Sequence, residues 1–178
     1  MQQLLGKFNE RDPATGVEAL PPWNRNAGGV DGYMPMLVRD AYKKLAKLLQ
    51  DDKNLDRAVV TGMPGIGKSW FVDFFAMVCI QRGDAVILEC DVGVTVQSLR
   101  RLELLVPQVG ENGVITLEHT WQTETEKGIE ISVAAIEQLI GNRRCWNLID
   151  YRDKDWKPIF GDRFRATRVM FVSPDRKR

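Results

Sequence analysis

Thr61-Gly62-Met63-Pro64-Gly65-Ile66-Gly67-Lys68-Ser69 holds residue types at a spacing that suits phosphate chemistry. It fits the phosphate-loop pattern G-x-x-x-x-G-K-[ST]. Glycines at 62, 65 and 67 let the backbone curl so that successive N–H groups face one anion. A helix starting behind them adds the partial positive charge of its N-terminus. Lys68 is the group to reach the β- and γ-phosphates, and Ser69 the hydroxyl to place on Mg²⁺.

The flanks are the ones this motif requires. Arg57-Ala58-Val59-Val60 reads as a short strand entering the loop, and 70–80, free of Pro and Gly, reads as a helix leaving it. A metal-binding carboxylate is then expected at the C-terminal end of a neighbouring parallel strand. The apolar run Cys145-Trp146-Asn147-Leu148-Ile149-Asp150 delivers Asp150 to that edge, and Asp91, ending an earlier strand, is its rival. Tyr151 occupies the position after Asp150, where many ATPases carry a water-orienting Glu; Asp153, Asp155 and Glu118 are the other acids weighed for that task. Ser173 ends the last strand, either as a sensor of the γ-phosphate or as a turn residue before Pro174.

The elements that must position these residues follow from the pattern of the chain. Residues 1–32, punctuated by prolines at 13, 21 and 22, read as an irregular arm, and 33–178 as the phosphate-loop domain. Met34 to Leu49 reads as a helix with Leu37, Ala41, Leu45, Leu48 and Leu49 on one face and Lys43, Lys44 and Lys47 solvated opposite. Arg82-Gly83-Asp84 stops the helix after the loop, and Ala85–Cys90 is a second strand, completing a right-handed βαβ crossover. Residues 99–106 suit a strand or a short helix, and 114–121 a strand. With Gly110-Glu111-Asn112-Gly113 between them, an inserted β-hairpin is preferred. Ile129–Ile140 reads as a helix, 145–150 and 166–173 as strands, and 151–165 as a long polar loop. The fold class is α/β: a three-layer, P-loop NTPase-like parallel sheet with helices on both faces. Trp70, Phe71, Phe74 and Phe75 are assigned to its core rather than to base stacking.

Composition bounds the functions. The chain has 178 residues, 44% hydrophobic and 28% charged, enough for one core without disulfide or metal support. A formal net charge of +1 gives no bulk electrostatic case for nucleic acid. The three cysteines, Cys79, Cys90 and Cys145, lie far apart in apolar runs, as buried thiols of a reducing compartment do. His119 is the sole histidine, so no zinc pattern forms. The N-terminus is too short in apolar length for a signal peptide, and no run suits a membrane span. An intracellular protein, cytoplasmic or nuclear, is expected.

Val60-Thr61-Gly62-Met63-Pro64-Gly65-Ile66-Gly67-Lys68-Ser69, Trp146-Asn147-Leu148-Ile149-Asp150 and Val172-Ser173-Pro174 together resemble the P-loop ATPase-like module of Crinkler effectors and retrotransposon hot spot proteins. Leu37-Val38-Arg39-Asp40-Ala41-Tyr42 also looks like the segment that precedes the loop in that group, so the resemblance spans about residues 35–175. It implies an additional-strand NTPase fold binding Mg²⁺-ATP, often followed by a nuclease-like or kinase-like effector domain. The chain lacks a Leu-rich header and stops soon after Ser173, so a fifth core strand and an effector domain are expected to be absent. The expected ligand is ATP with Mg²⁺, bound by Gly62, Met63, Pro64, Gly65, Ile66, Gly67, Lys68, Ser69 and Ser173, with Ser69 and Asp150 at the metal and Lys68 and Asp150 catalytic. Hydrolysis, a nucleotide switch without turnover, and a small phosphoryl-transfer kinase with arginines from 152–168 are the three activities this set allows.

Overall fold

The structure, a computed structural model, describes residues 19–20, 36–92, 99–109, 115–123, 133–150 and 164–172. It is an α/β fold. Two short strands, β1 (Ala19–Leu20) and β2 (Met36–Leu37), pair antiparallel ahead of helix α1 (Asp40–Asp51). Then follow β3 (Arg57–Thr61), α2 (Lys68–Gln81), β4 (Ala85–Val92), β5 (Leu99–Val109), β6 (Ile115–Thr123), α3 (Val133–Ile140), β7 (Cys145–Asp150) and β8 (Thr167–Val172).

Strands β3 to β8 form a six-stranded sheet in the order β3-β8-β7-β4-β5-β6. Its first four strands are mutually parallel, while β5 and β6 extend it as an antiparallel hairpin beside β4. Covered on both faces, the central strands are buried at every position instead of alternately: this holds for Ala85–Cys90 and Cys145–Ile149, whose two polar members bond to each other, Asn147 Nδ2 donating to Glu89 Oε1 at 2.7 Å. The two-residue period splits them between two layers. Val86, Leu88, Trp146, Leu148, Val169 and Phe171 pack against α1 and α2. Ala85, Ile87, Leu102, Leu104 and Cys145 pack against Ile136 and Ile140 of α3 on the other face. Helix α2 is apolar almost all round because it is sandwiched: Phe71–Met77, Cys79 and Ile80 are buried between the sheet and α1.

The strand reading of 99–106 holds, because β5 needs in-register partners on both sides and has them, from Val86↔Leu105 with β4 to Arg101↔Thr123 with β6. Two other readings are corrected. Within the stretch read as an irregular arm, Ala19–Leu20 pairs with Met36–Leu37, and that pairing takes Met36 and Leu37 out of the expected helix. Helix α1 therefore starts at Asp40, after the extended Arg39 (φ −84°, ψ 148°). Its buried face is Tyr42, Ala46 and Leu49, rotated from the expected stripe, with Leu48 left 69% exposed. The rotation seats the Tyr42 ring on Phe71 and Phe74, at centroid distances of 5.6 and 5.9 Å. Trp70, expected in the core, is 43% exposed, while the next residue, Phe71, is buried against Tyr42 and Phe171. Of the expected helix 129–140, Val133–Ile140 is helical, and the residues before it lie outside the described ones.

All three cysteines are buried free thiols. Burial, reinforced by Asp84, raises the ionisation of Cys145 to about 12 and moves that of Cys79 in the same direction. Thiolate is the reactive form. A thiol reagent at neutral pH is therefore expected to leave Cys79 and Cys145 unmodified in the folded chain and to label them only in denaturant. Labelling at the native rate of an exposed cysteine would show that the sheet opens around them.

Candidate functional site

The loop 62–67 joins the C-terminal end of β3 to the N-terminus of α2. Its tip is a turn in which Ile66 N–H donates to Met63 O at 3.3 Å. Pro64 and Gly65 occupy the middle of that turn, and Gly65 has φ +79°, the Pro-Gly arrangement of a type II turn. Met63 and Ile66 are left 61% and 52% exposed, and the Ile66 side chain lies over Gly62.

Gly67 caps α2 in the left-handed region, at φ +99°. Its carbonyl accepts the first helical bond, from Phe71 N–H at 2.9 Å. The N–H groups of Lys68, Ser69 and Trp70 precede that ladder and so project from the helix N-terminus. Across the loop, Lys68 Nζ donates to Gly62 O (2.7 Å) and Met63 O (3.1 Å). A cation thus spans the concave side of a glycine arch whose helix end is itself partly positive.

Helix α1 holds the loop from the outside. Arg39 Nη1 donates to Ile66 O at 2.9 Å, and the Tyr42 hydroxyl donates to Gly67 O at 2.8 Å. The Arg39 guanidinium lies 5.9 Å from the Tyr42 ring centroid. Burial pushes Tyr42 ionisation above 10.0, with Arg39 partly opposing it, so the hydroxyl remains a donor through the neutral range. Neither residue was singled out for chemistry by its sequence. The one signal was the Leu37–Tyr42 segment of the family resemblance, which carried no role for either.

Asp150 ends β7, half-buried, one residue beyond Ile149. Ile149 is level with Met170 of β8, and Met170 with Val59 of β3. Asp150 therefore reaches the same sheet edge as the loop, two strand spacings from β3, about 10 Å of backbone separation. By its alternation with Trp146 and Leu148 it belongs to the face that carries α2. Its rival Asp91 lies inside β4, in register with Arg100 and one strand farther from β3. Glu118 is on β6, the opposite margin of the sheet, and is not brought to the loop. Ser173, Tyr151, Asp153 and Asp155 lie outside the described residues. Ser69 is exposed in the first turn of α2.

Among the described residues no three His, Cys, Asp or Glu side chains converge as a metal cage. A cleft of about 920 Å³ opens at the other end of the parallel strands, among Arg143, Arg144, Arg165 and Thr167, and contributes nothing to the loop. No helix among the described residues is long and apolar enough to cross a membrane. Comparison with protein-family models, with curated proteins and with solved structures finds no match to this chain.

Proposed function

We propose that this chain binds a nucleoside triphosphate, ATP with Mg²⁺, as a P-loop NTPase module, and hydrolyses it. The observation that carries the reading is the glycine arch between β3 and α2 with the Lys68 ammonium across its concave side. Amides of Gly65, Gly67, Lys68 and Ser69 would receive the β-phosphate. Lys68 would exchange its bonds to Gly62 O and Met63 O for β- and γ-phosphate oxygens. Ser69 and Asp150 would hold Mg²⁺, which when bound neutralises charge on the transferring phosphoryl group. The strand order supports the additional-strand arrangement that the Crinkler-like resemblance implies, since β8 stands between the loop strand and the Asp150 strand.

A second reading, a nucleotide switch without turnover, draws on Tyr151, which stands where a water-orienting acid is expected. Titrating Mg²⁺-ATP into wild type, Lys68→Ala and Asp150→Ala, with phosphate release followed in parallel, separates the two. Lys68→Ala removes a charged hydrogen bond worth roughly 1.5–3 kcal/mol, so binding is expected to weaken by about tenfold to a hundredfold. Asp150→Ala is expected to remove the Mg²⁺ dependence of binding while leaving metal-free ATP binding near wild type. Binding with no phosphate released by wild type identifies the switch. Undiminished binding by Lys68→Ala sinks both readings.

A further inference from the structure

We infer that Arg39 and Tyr42, in the approach to and first turn of α1, are positioning residues that fix the two amides of the phosphate loop most directly aimed at the anion. The inference rests on the triphosphate reading above and adds to it a device outside the loop motif. In a trans peptide the C=O of one residue and the N–H of the next point in opposite directions. Arg39 holds Ile66 O at 2.9 Å, so the N–H of Gly67 is turned away from α1. Tyr42 holds Gly67 O at 2.8 Å, beside the helical bond from Phe71 N–H, so the N–H of Lys68 is turned out along the helix N-terminus. Both bonds fall on consecutive peptides that share Gly67, the residue with the most freedom to rotate them.

An unclamped glycine hinge would have to be ordered when the anion binds, and that ordering subtracts from affinity. Tyr42 is well built for the task. Its ring is buried between Phe71 and Phe74, which leaves its hydroxyl little choice of position. A Cβ on Gly67 would run into that hydroxyl, so the contact is as close as the glycine permits. Arg39 is exposed and anchored through its head group, so its contribution is separable from packing.

Three variants test this with Mg²⁺-ATP as the probe and Lys68→Ala as the reference. Tyr42→Phe keeps the ring and removes one bond, and Arg39→Ala removes the other. Each is expected to weaken binding about tenfold, the factor that one oriented hydrogen bond of ordinary worth represents. Arg39→Lys keeps a donor and is expected to stay within about threefold of wild type, since a lysine head group donates to a carbonyl as well. Amide NMR supplies the readout that packing alone would not move. On ATP addition the Gly67 and Lys68 N–H resonances should shift in wild type, and shift less in Tyr42→Phe while the core resonances stay put. Wild-type affinity in both Tyr42→Phe and Arg39→Ala, with Lys68→Ala impaired, overturns the clamp and leaves the triphosphate reading standing. No binding by wild type, or undiminished binding by Lys68→Ala, overturns both together.

Discussion

Gly67→Ala is expected to abolish triphosphate binding and to lower the thermal midpoint of unfolding by about 4–12 °C. Two costs combine. A non-glycine residue held at the φ of +99° seen here is strained by roughly 1–2 kcal/mol. The new Cβ also collides with the Tyr42 hydroxyl, whose ring cannot retreat from Phe71 and Phe74. Losing that bond adds about 1 kcal/mol, for a total of roughly 2–3 kcal/mol, and in a domain of this size each kcal/mol is worth about 2–4 °C. Gly65→Ala is the control: its φ of +79° imposes the same kind of strain, but nothing lies within 4 Å of the added carbon. Its midpoint should fall by about half to two-thirds as much. Pairing Gly67→Ala with Tyr42→Phe should recover part of the stability, because the colliding oxygen is gone, but not the binding. Equal losses at the two glycines would show that the hydroxyl does not press on Gly67.

How much of this was legible in the sequence depended on how local the determinant is. Residues 145–150 read correctly as a strand because an apolar run bounded by Gly141-Asn142 and a polar loop has no competing period, and β7 spans those residues. The end of α2 was equally legible, since Gly83, at φ +84°, serves as its stop. The hairpin was legible from two strand-like runs with Gly and Asn between them in the sequence, yet β5 became a strand only through two flanking partners that no window of sequence contains. Helix α1 failed for the same reason. Leucine positions define an apolar stripe, but the buried face was set by where Tyr42 could meet aromatic rings of α2, some 30 residues away. Trp70 failed because in an apolar run the pattern does not say which face of the helix is covered, and in the first turn of α2 the covered face takes Phe71 and not Trp70.

The site divides along the same line. The loop motif is contiguous and its turn chemistry is encoded residue by residue in Met63-Pro64-Gly65-Ile66. Asp150 needed only a strand ending at the correct edge, and the parallel order β3-β8-β7 places it there. The bonds from Arg39 and Tyr42 span 27 and 25 residues of sequence and depend on the helix rotation just described. Such contacts leave no periodic trace, so they surface only when the elements are packed.

Trp146→Ala is expected to cost about 4 kcal/mol, and it tests how firmly the sheet holds Asp150. Trp146 has no exposed surface; its ring makes a T-shaped contact with Phe75 at a centroid distance of 5.0 Å and carries the Arg144 guanidinium at 4.2 Å. Its indole N–H donates to Asp84 at 2.9 Å. Truncating a buried Trp leaves a cavity worth roughly 3–5 kcal/mol, a large share of the 5–15 kcal/mol typical of a whole domain. The denaturant midpoint should drop accordingly with an unchanged slope, as expected when the native state weakens without changing the surface exposed on unfolding. Trp70→Ala is the internal standard, since that side chain is 43% exposed and a surface change of this kind costs within about 1 kcal/mol. Comparable losses for the two tryptophans would refute the assignment of Trp146 to the layer under α2. Trp146 lies on the same strand and face as Asp150, four positions before it. Loosening that strand should therefore weaken Mg²⁺-dependent ATP binding in Trp146→Ala at temperatures where the chain is still folded, while metal-free binding, governed by the loop on β3 and α2, changes less.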